Sequence, residues 1–223
     1  MSFARAVDDQ GKVANEAFMQ LASATDHFER YENAHAVRIC RLADEIAKHF
    51  QMAVQDRQSL RNAALLHDLG EAAMDRDYIH RNGPLTDIER IDLSRHPVIG
   101  EQEVARVGAD RAVNLIVRWH HEWWNGSGYP DALSREEIPL AARILRVADS
   151  YAALTDARPF RPAWTAERAR QEILAGAGIE FDPGVVSAFL SLESMRELDS
   201  FATTEVSPQE TGREWNLFAS FRK

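Results

Sequence analysis

The chain has 223 residues, 45% of them apolar and 27% charged, and a formal net charge of −9. That length and apolar fraction allow a core without staples and exclude intrinsic disorder. The acidic balance argues against sequence-independent DNA binding, which needs a basic face, and no apolar run approaches the ~20 residues of a membrane span. The single cysteine, Cys40, leaves no internal disulfide or thiolate zinc site and fits a reducing cytoplasm. The opening MSFARAVDDQGKVANE lacks the apolar stretch of a secretory signal.

Helical periodicity runs along nearly the whole chain, with no alternating run that would mark a strand. The first 25 residues offer one loose amphipathic helix through Val13, Phe18 and Leu21. From Ala34 to Phe50, His35, Ile39, Leu42 and Ile46 share one stripe of a helix. A second helix is expected from Asp56 to about Gly70, with Leu60, Ala64 and His67 on one face. Thr86 to Glu89 reads as a capping box opening a third, which ends near His96. Pro97 suits the first turn of a fourth that reaches Gly108. Asp110 is the N-cap candidate for a fifth, through Val113, Ile116, Val117 and His120. The segment WNGSGYPDALS at 124–134 is too rich in Gly, Asn, Ser and Pro for regular structure. Helix resumes from about Pro139 through Asp149 to Leu154, then from Thr165 to Ala175, and again after Asp182-Pro183 through Leu192. The tail after Val206 is polar, although Trp215, Leu217, Phe218 and Phe221 equip it to dock. The expected architecture is all-α: a helical extension over 1–30, one domain over 31–205 and a tail over 206–223.

Five histidines sit at special places: His35 on an apolar stripe, His67 before Asp68, His96 before Pro97, and the pair His120-His121. Asp149 lies inside the apolar stretch RILRVADSYAAL. Each alone has a plain explanation, such as a core histidine or, for His96, a helix C-cap that meets the dipole. Packed together in one small bundle they would be costly to bury unless paired or metal-bound. Facing helices of a bundle core can converge imidazoles and carboxylates on metal ions. A donor set of nitrogen and oxygen alone suits Fe or Mn, or less distinctively Zn or Ni. Asp68, with two carboxylate oxygens, could bridge two ions about 3.5–4 Å apart.

The strings HDLGE at 67–71, HPVIGEQ at 96–102, HHEWWNGSGYP at 120–130 and RVADSYAALTDARPFR at 146–161 together resemble the HD-GYP family. GPLT at 83–86 and FDPGVV at 181–186 follow the same order, so the resemblance runs from about Tyr31 to Leu190. These are metal-dependent phosphodiesterases of the HD superfamily that cleave cyclic di-GMP. The resemblance implies a single HD-type helical bundle with a binuclear metal site in its core. His35, His67, Asp68 and Asp149 match the ligands shared across the superfamily. His96, His120 and His121 match the additional set for a second ion, with Asp68 bridging. Arg158 and Arg161 match positions that contact substrate phosphates, as guanidinium forks can. Gly128 and Tyr129, with Gly126 and Pro130, form the namesake loop, which shapes the pocket or meets partners. Trp123 and Trp124 could stack a guanine or simply plug the surface. The implied reaction yields pGpG, GMP or both through a metal-bridging hydroxide. The implied setting is cytoplasmic, with a diguanylate cyclase domain as a partner of the loop and homodimerisation as a further expectation.

Two positions depart from the family pattern. Where three-metal members carry Glu, four residues before the first histidine, this chain has Tyr31; Glu32 lies ~100° around the helix from that position. Two ions are therefore expected. The usual HD-x-G-K motif ends here in Glu71, an anion in place of a phosphate-binding lysine. Glu71, with Asp68 a candidate catalytic residue, has three open readings. It could reach back to a metal, mark a domain that binds nucleotide without cutting it, or face solvent. Arg81, just before GPLT, stands near another basic position of the family and is a candidate phosphate contact. Two further functions stay open: a silent adaptor that binds a cyclic dinucleotide or a cyclase domain, and a hydrolase of another phosphoester such as a hybrid cyclic dinucleotide.

Overall fold

The computed structural model describes residues 16–81, 83–157 and 162–192. Among them ten α-helices are joined by short connections and two single 3-10 turns, and the only β pairing is an isolated bridge between Ala177 and Phe181. The first helix, α1, covers residues 16–28. It is part of the core rather than an appendage, because Phe18 and Ala22 are buried against the other helices. Val13 and the aromatic tail lie outside the described residues.

Helix α2 (His35–His49) buries the expected stripe of His35, Ile39, Leu42 and Ile46. Helix α3 (Val54–Leu66) starts close to its expected place, but the periodicity that pointed on to Gly70 is broken. The chain turns at His67 and Asp68, and α4 (Leu69–Met74) follows as a separate short helix. Glycines explain the break. A Cβ on Gly70 would lie 2.1 Å from the His96 carbonyl oxygen and 2.7 Å from the Gly100 nitrogen. Only bare backbone lets α4 come this close to α6 (His96–Arg106). Between them, Thr86 and Glu89 make both bonds of the capping box that opens α5 (Asp87–Leu93).

Helix α7 (Arg111–Trp119) is capped by Asp110, whose side chain accepts from the Val113 nitrogen at 2.9 Å. Thr165 and Asp182 likewise cap α9 (Ala166–Ala175) and α10 (Pro183–Leu190). Helix α8 (Leu140–Thr155) is buried nearly all round and packs on α2, α3, α7, α9 and α10. A helix apolar on every face belongs in the middle of a fold. Its central place brings Asp149 to the start of α2 and the end of α3. No helix among the described residues is long and apolar enough to cross a membrane.

Candidate metal centre

Six of the seven expected ligands stand at helix ends. His35 opens α2, His67 and Asp68 form the turn between α3 and α4, His96 opens α6, and His120 and His121 follow α7; Asp149 alone comes from mid-helix. The placement fixes their chemistry. A helix leaves its last carbonyls without partners, and here three histidines satisfy them. His67 Nδ1–H donates to the Ala64 carbonyl at 3.0 Å, His96 Nδ1–H to Leu93 at 2.8 Å, and His120 Nδ1–H to Val117 at 2.6 Å. Because a carbonyl only accepts, Nδ1 carries a proton in each of these rings, which leaves Nε2 as the atom that can face a cation. His35 Nδ1–H donates to Asp156 Oδ2 at 2.7 Å with the same result.

These nitrogens and two carboxylates form two groups, each with donor atoms all within 4.8 Å of one another: His35, His67 and Asp149, and Asp68, His96, His120 and His121. Asp68 spans both. Its Oδ2 lies 2.9 Å from His67 Nε2, whereas its Oδ1 lies 3.5 Å from His96 Nε2 and 3.7 Å from His120 Nε2. Asp149 Oδ1 lies 3.7 Å from His35 Nε2 and 3.8 Å from His67 Nε2. Both of those Nε2 atoms are buried and make no hydrogen bond. A buried polar atom without a partner is expensive, and a divalent cation is the partner that this donor set fits. Burial pushes the Asp68 carboxyl up, but the charge and hydrogen bond of His67 and the hydrogen bond of His120 outweigh that and hold it well below the usual range. Burial pushes His96 down to about 4, so its ring is neutral at pH 7.

A family model described as HD domain matches residues 16–185. The chain belongs to the HD domain family. The order of its motifs is that of the HD-GYP branch. It is 35% identical to the cyclic di-GMP phosphodiesterase response regulator RpfG of Xanthomonas campestris pv. campestris, over 86% of this chain and 52% of that protein. It is 31% identical to the 3'3'-cGAMP-specific phosphodiesterase 2 of Vibrio cholerae, over 82% of this chain and 35% of that protein. The chain thus spans about half or less of the curated relatives it matches. The fold is similar to that of V-cGAP3, a cyclic GMP-AMP specific phosphodiesterase of V. cholerae, with a TM-score of 0.66 and 22% identity over 85% of this chain and 51% of that one. It is also similar to Bd1817, an HDG"Y"P protein from Bdellovibrio bacteriovorus, with a TM-score of 0.58 and 21% identity over 70% of this chain and 50% of that one.

The remaining candidates of this HD domain divide. Glu71 is largely enclosed, with its side chain 14% exposed and a carboxylate oxygen 3.8 Å from His96 Nδ1, yet it is in neither group of ligand atoms. Tyr31 stacks flat on His35 at 3.7 Å. Tyr129 stacks on His121 with centroids 5.0 Å apart. Gly128 allows this, since a Cβ there would lie 2.2 Å from the Trp123 nitrogen and 2.6 Å from the His121 carbonyl oxygen. Trp123 is buried and offers no face to a base, and the ring of Trp124 lies 5.6 Å from the guanidinium of Arg143. Arg81 makes a bidentate pair with Glu89, at 2.8 Å on each side. Arg158 and Arg161 lie outside the described residues.

Three residues that the sequence reading left without a role matter here. Asp156 receives His35 and also pairs with Arg38. Glu122 accepts from the backbone nitrogens of Asp131 at 2.6 Å and Leu133 at 3.1 Å, which ties the glycine-rich loop back onto the ligand-bearing turn. Arg146 is buried between His121 and Glu180. Arg146 carried a signal, a lone charge inside an apolar helix; Glu122 carried its place in the motif.

Proposed function

We propose that this chain is a metal-dependent phosphodiesterase that opens cyclic di-GMP to linear pGpG, to GMP, or to both. The observation that carries the reading is Asp68, with one oxygen facing each ligand group. Divalent ions bound there would supply an activated water at neutral pH and offset charge on the phosphoryl oxygens. His35, His67, His96 and His120 would hold them through Nε2, with each ring locked from behind by its Nδ1 bond. Asp68, Glu71, His121 and Tyr129, which are not fully buried, mark the side on which substrate would enter. Tyr129, held by Gly128 against His121, would wall that side, and Arg158 and Arg161 would meet the phosphates. Arg81 would have to leave Glu89 to join them. Because the donors are nitrogen and oxygen only, we assign Fe or Mn as the resident ions, with Zn or Ni as substitutes after purification. A cytoplasmic location, a diguanylate cyclase partner for the 124–134 loop and a homodimer belong to the same reading.

The relatives named for 3'3'-cGAMP favour a second substrate, the hybrid cyclic dinucleotide. The deciding experiment is a product assay on both dinucleotides, with protein purified without oxygen and supplied with Mn or Fe. Turnover of cyclic di-GMP supports the main reading, and turnover of cyclic GMP-AMP alone moves the assignment to the hybrid. Tight binding without turnover of either makes the chain an adaptor.

A further inference from the structure

We propose that α5 is a self-association surface, through which two copies of this chain pair antiparallel about a two-fold axis at Ile91. This surface rests on the homodimer in the reading above and is independent of the substrate. Helix α5 is mounted with its polar side inward. Glu89 accepts from Arg81 at 2.8 Å through both oxygens, and Asp92 Oδ2 accepts from Arg76 Nε at 3.0 Å and from the Tyr78 hydroxyl at 2.9 Å. Those bonds fasten the helix to the segment before it, and none of its own residues is buried. Its apolar edge faces out, with Ile88 80% exposed and Ile91 69%. Two isoleucines one turn apart keep apolar surface in water that a contact would remove.

The charges on that edge favour a second copy as the occupant. Ser94 and Arg95 keep right-handed helical angles, so Asp87, Ile88, Ile91 and Arg95 fall within about 100° of arc. Asp87 lies about 6 Å to one side of Ile91 along the axis, and Arg95 about 6 Å to the other. A two-fold axis at Ile91 therefore sets each Asp87 against the partner's Arg95, the self-complementary match that an isologous contact requires. Both side chains reach into solvent. Asp87 has only Arg90 near it, at 3.9 Å, and Arg95 shares Asp92 with Arg76 and Tyr78. Residues 76–95 carry four arginines and four carboxylates, so the segment is neutral within a chain of net charge −9. Two acidic copies can meet there without the repulsion of the chain as a whole. A strongly acidic or basic macromolecule would find no patch of a single sign on this edge.

The test is sedimentation velocity on the full chain from ~1 to ~100 μM, beside Ile91→Asp, Asp87→Arg, Arg95→Asp and the double variant Asp87→Arg/Arg95→Asp. A seven-residue helix covers less than the ~800 Å² per partner of a standard interface. A reversible monomer–dimer equilibrium is therefore expected over that range. The two-fold axis counts each change twice. Ile91→Asp should weaken association ~100-fold or more, and each single charge reversal ~5–10-fold. The double variant restores both pairs and should return toward the wild-type value, which apolar association in any other register would not do. A wild type that stays monomeric at every concentration overturns the proposal together with the homodimer. A dimer that Ile91→Asp leaves intact overturns this surface alone, as does a double variant no tighter than the single ones. Ile91→Cys, which keeps the edge uncharged, gives a second readout. Oxidation should join it to another copy far faster than Val54→Cys, at a position that is also exposed, and equal rates overturn the proposal. The product assay on cyclic dinucleotides decides the phosphodiesterase reading separately.

Discussion

His35 gives its Nδ1 proton to Asp156, whose other oxygen pairs with Arg38, and Arg38 also reaches Thr155 Oγ1 at 2.9 Å. The chain of contacts fixes the His35 ring with its Nε2 3.7 Å from Asp149 Oδ1. Asp156→Ala should therefore weaken metal binding by the ~10–100-fold typical of a lost outer partner. Asp156→Asn, which keeps an acceptor but no charge, should lose less; competition with a chelator measures both. Asp68→Ala removes the one carboxylate shared by the two groups, so it should cost both metal content and turnover. A folded variant that kept two ions and its activity would refute the bridging role. Glu71 titrates the other way from Asp68. Burial pushes its carboxyl well above the usual range, and the charges of Glu29 and Asp68 add to the push. The native state therefore holds this proton to higher pH than the unfolded chain, whose carboxyl titrates near 4.5. That contribution to stability is complete below the unfolded value and disappears as pH rises through the folded one. Metal-free Glu71→Gln, which cannot ionise, should melt above the wild type at pH 8 and level with it at pH 4. Equal melting at pH 8 would show the carboxylate to be better solvated than its surroundings indicate.

At the scale of elements, the site depends on backbones that touch. Gly70 sits against the His96 carbonyl and Gly100, with the Gly100 nitrogen facing it. The atoms in the way belong to a main chain, so neither can rotate aside as a side chain would. Gly70→Ala should cost at least the ~1–3 kcal/mol of ordinary overpacking and move Asp68 away from His96. A calorimetric melt several degrees lower, with reduced metal content, is the expected outcome. Gly128→Ala meets backbone too, at the Trp123 nitrogen and the His121 carbonyl. Its cost should fall on the loop and not on the bundle, because Glu122 and the pairing of Trp124 and Asn125 with Glu180 and Ile179 hold the loop elsewhere. Turnover should drop while the melting temperature changes little.

Over the whole molecule, the two ligand groups draw on α2, α3, α6, α7 and α8 and on the turns between them. Each ion would thus cross-link elements that are far apart in the chain. Anything that binds only the native state stabilises it by mass action, by ~2.7 kcal/mol at a hundred times the dissociation constant. For a chain of this size that corresponds to a rise of about 5–10 °C in melting temperature. Chelator-stripped protein should show this rise on adding Mn(II), and Asp68→Ala should show far less of it. An equal rise in that variant would place the stabilising ion somewhere else.

What the sequence determined by itself is local or carried in short strings. The stripe of α2 follows from spacing, and the caps at Thr86, Asp110, Thr165 and Asp182 follow from side chains that reach a nitrogen two or three residues on. The seven candidate ligands stood out because imidazoles and carboxylates do not belong unpaired in a bundle core. The turn at His67 and Asp68 was hidden, since apolar periodicity continues through it and the reason for the break is the close approach of α6. Only the tertiary structure decided which ring nitrogen each histidine offers. His35 takes its partner from a residue 121 positions away, and His121 takes its own from 25 positions away. A tautomer depends on what lies on the far side of the ring, and no spacing in the chain records that.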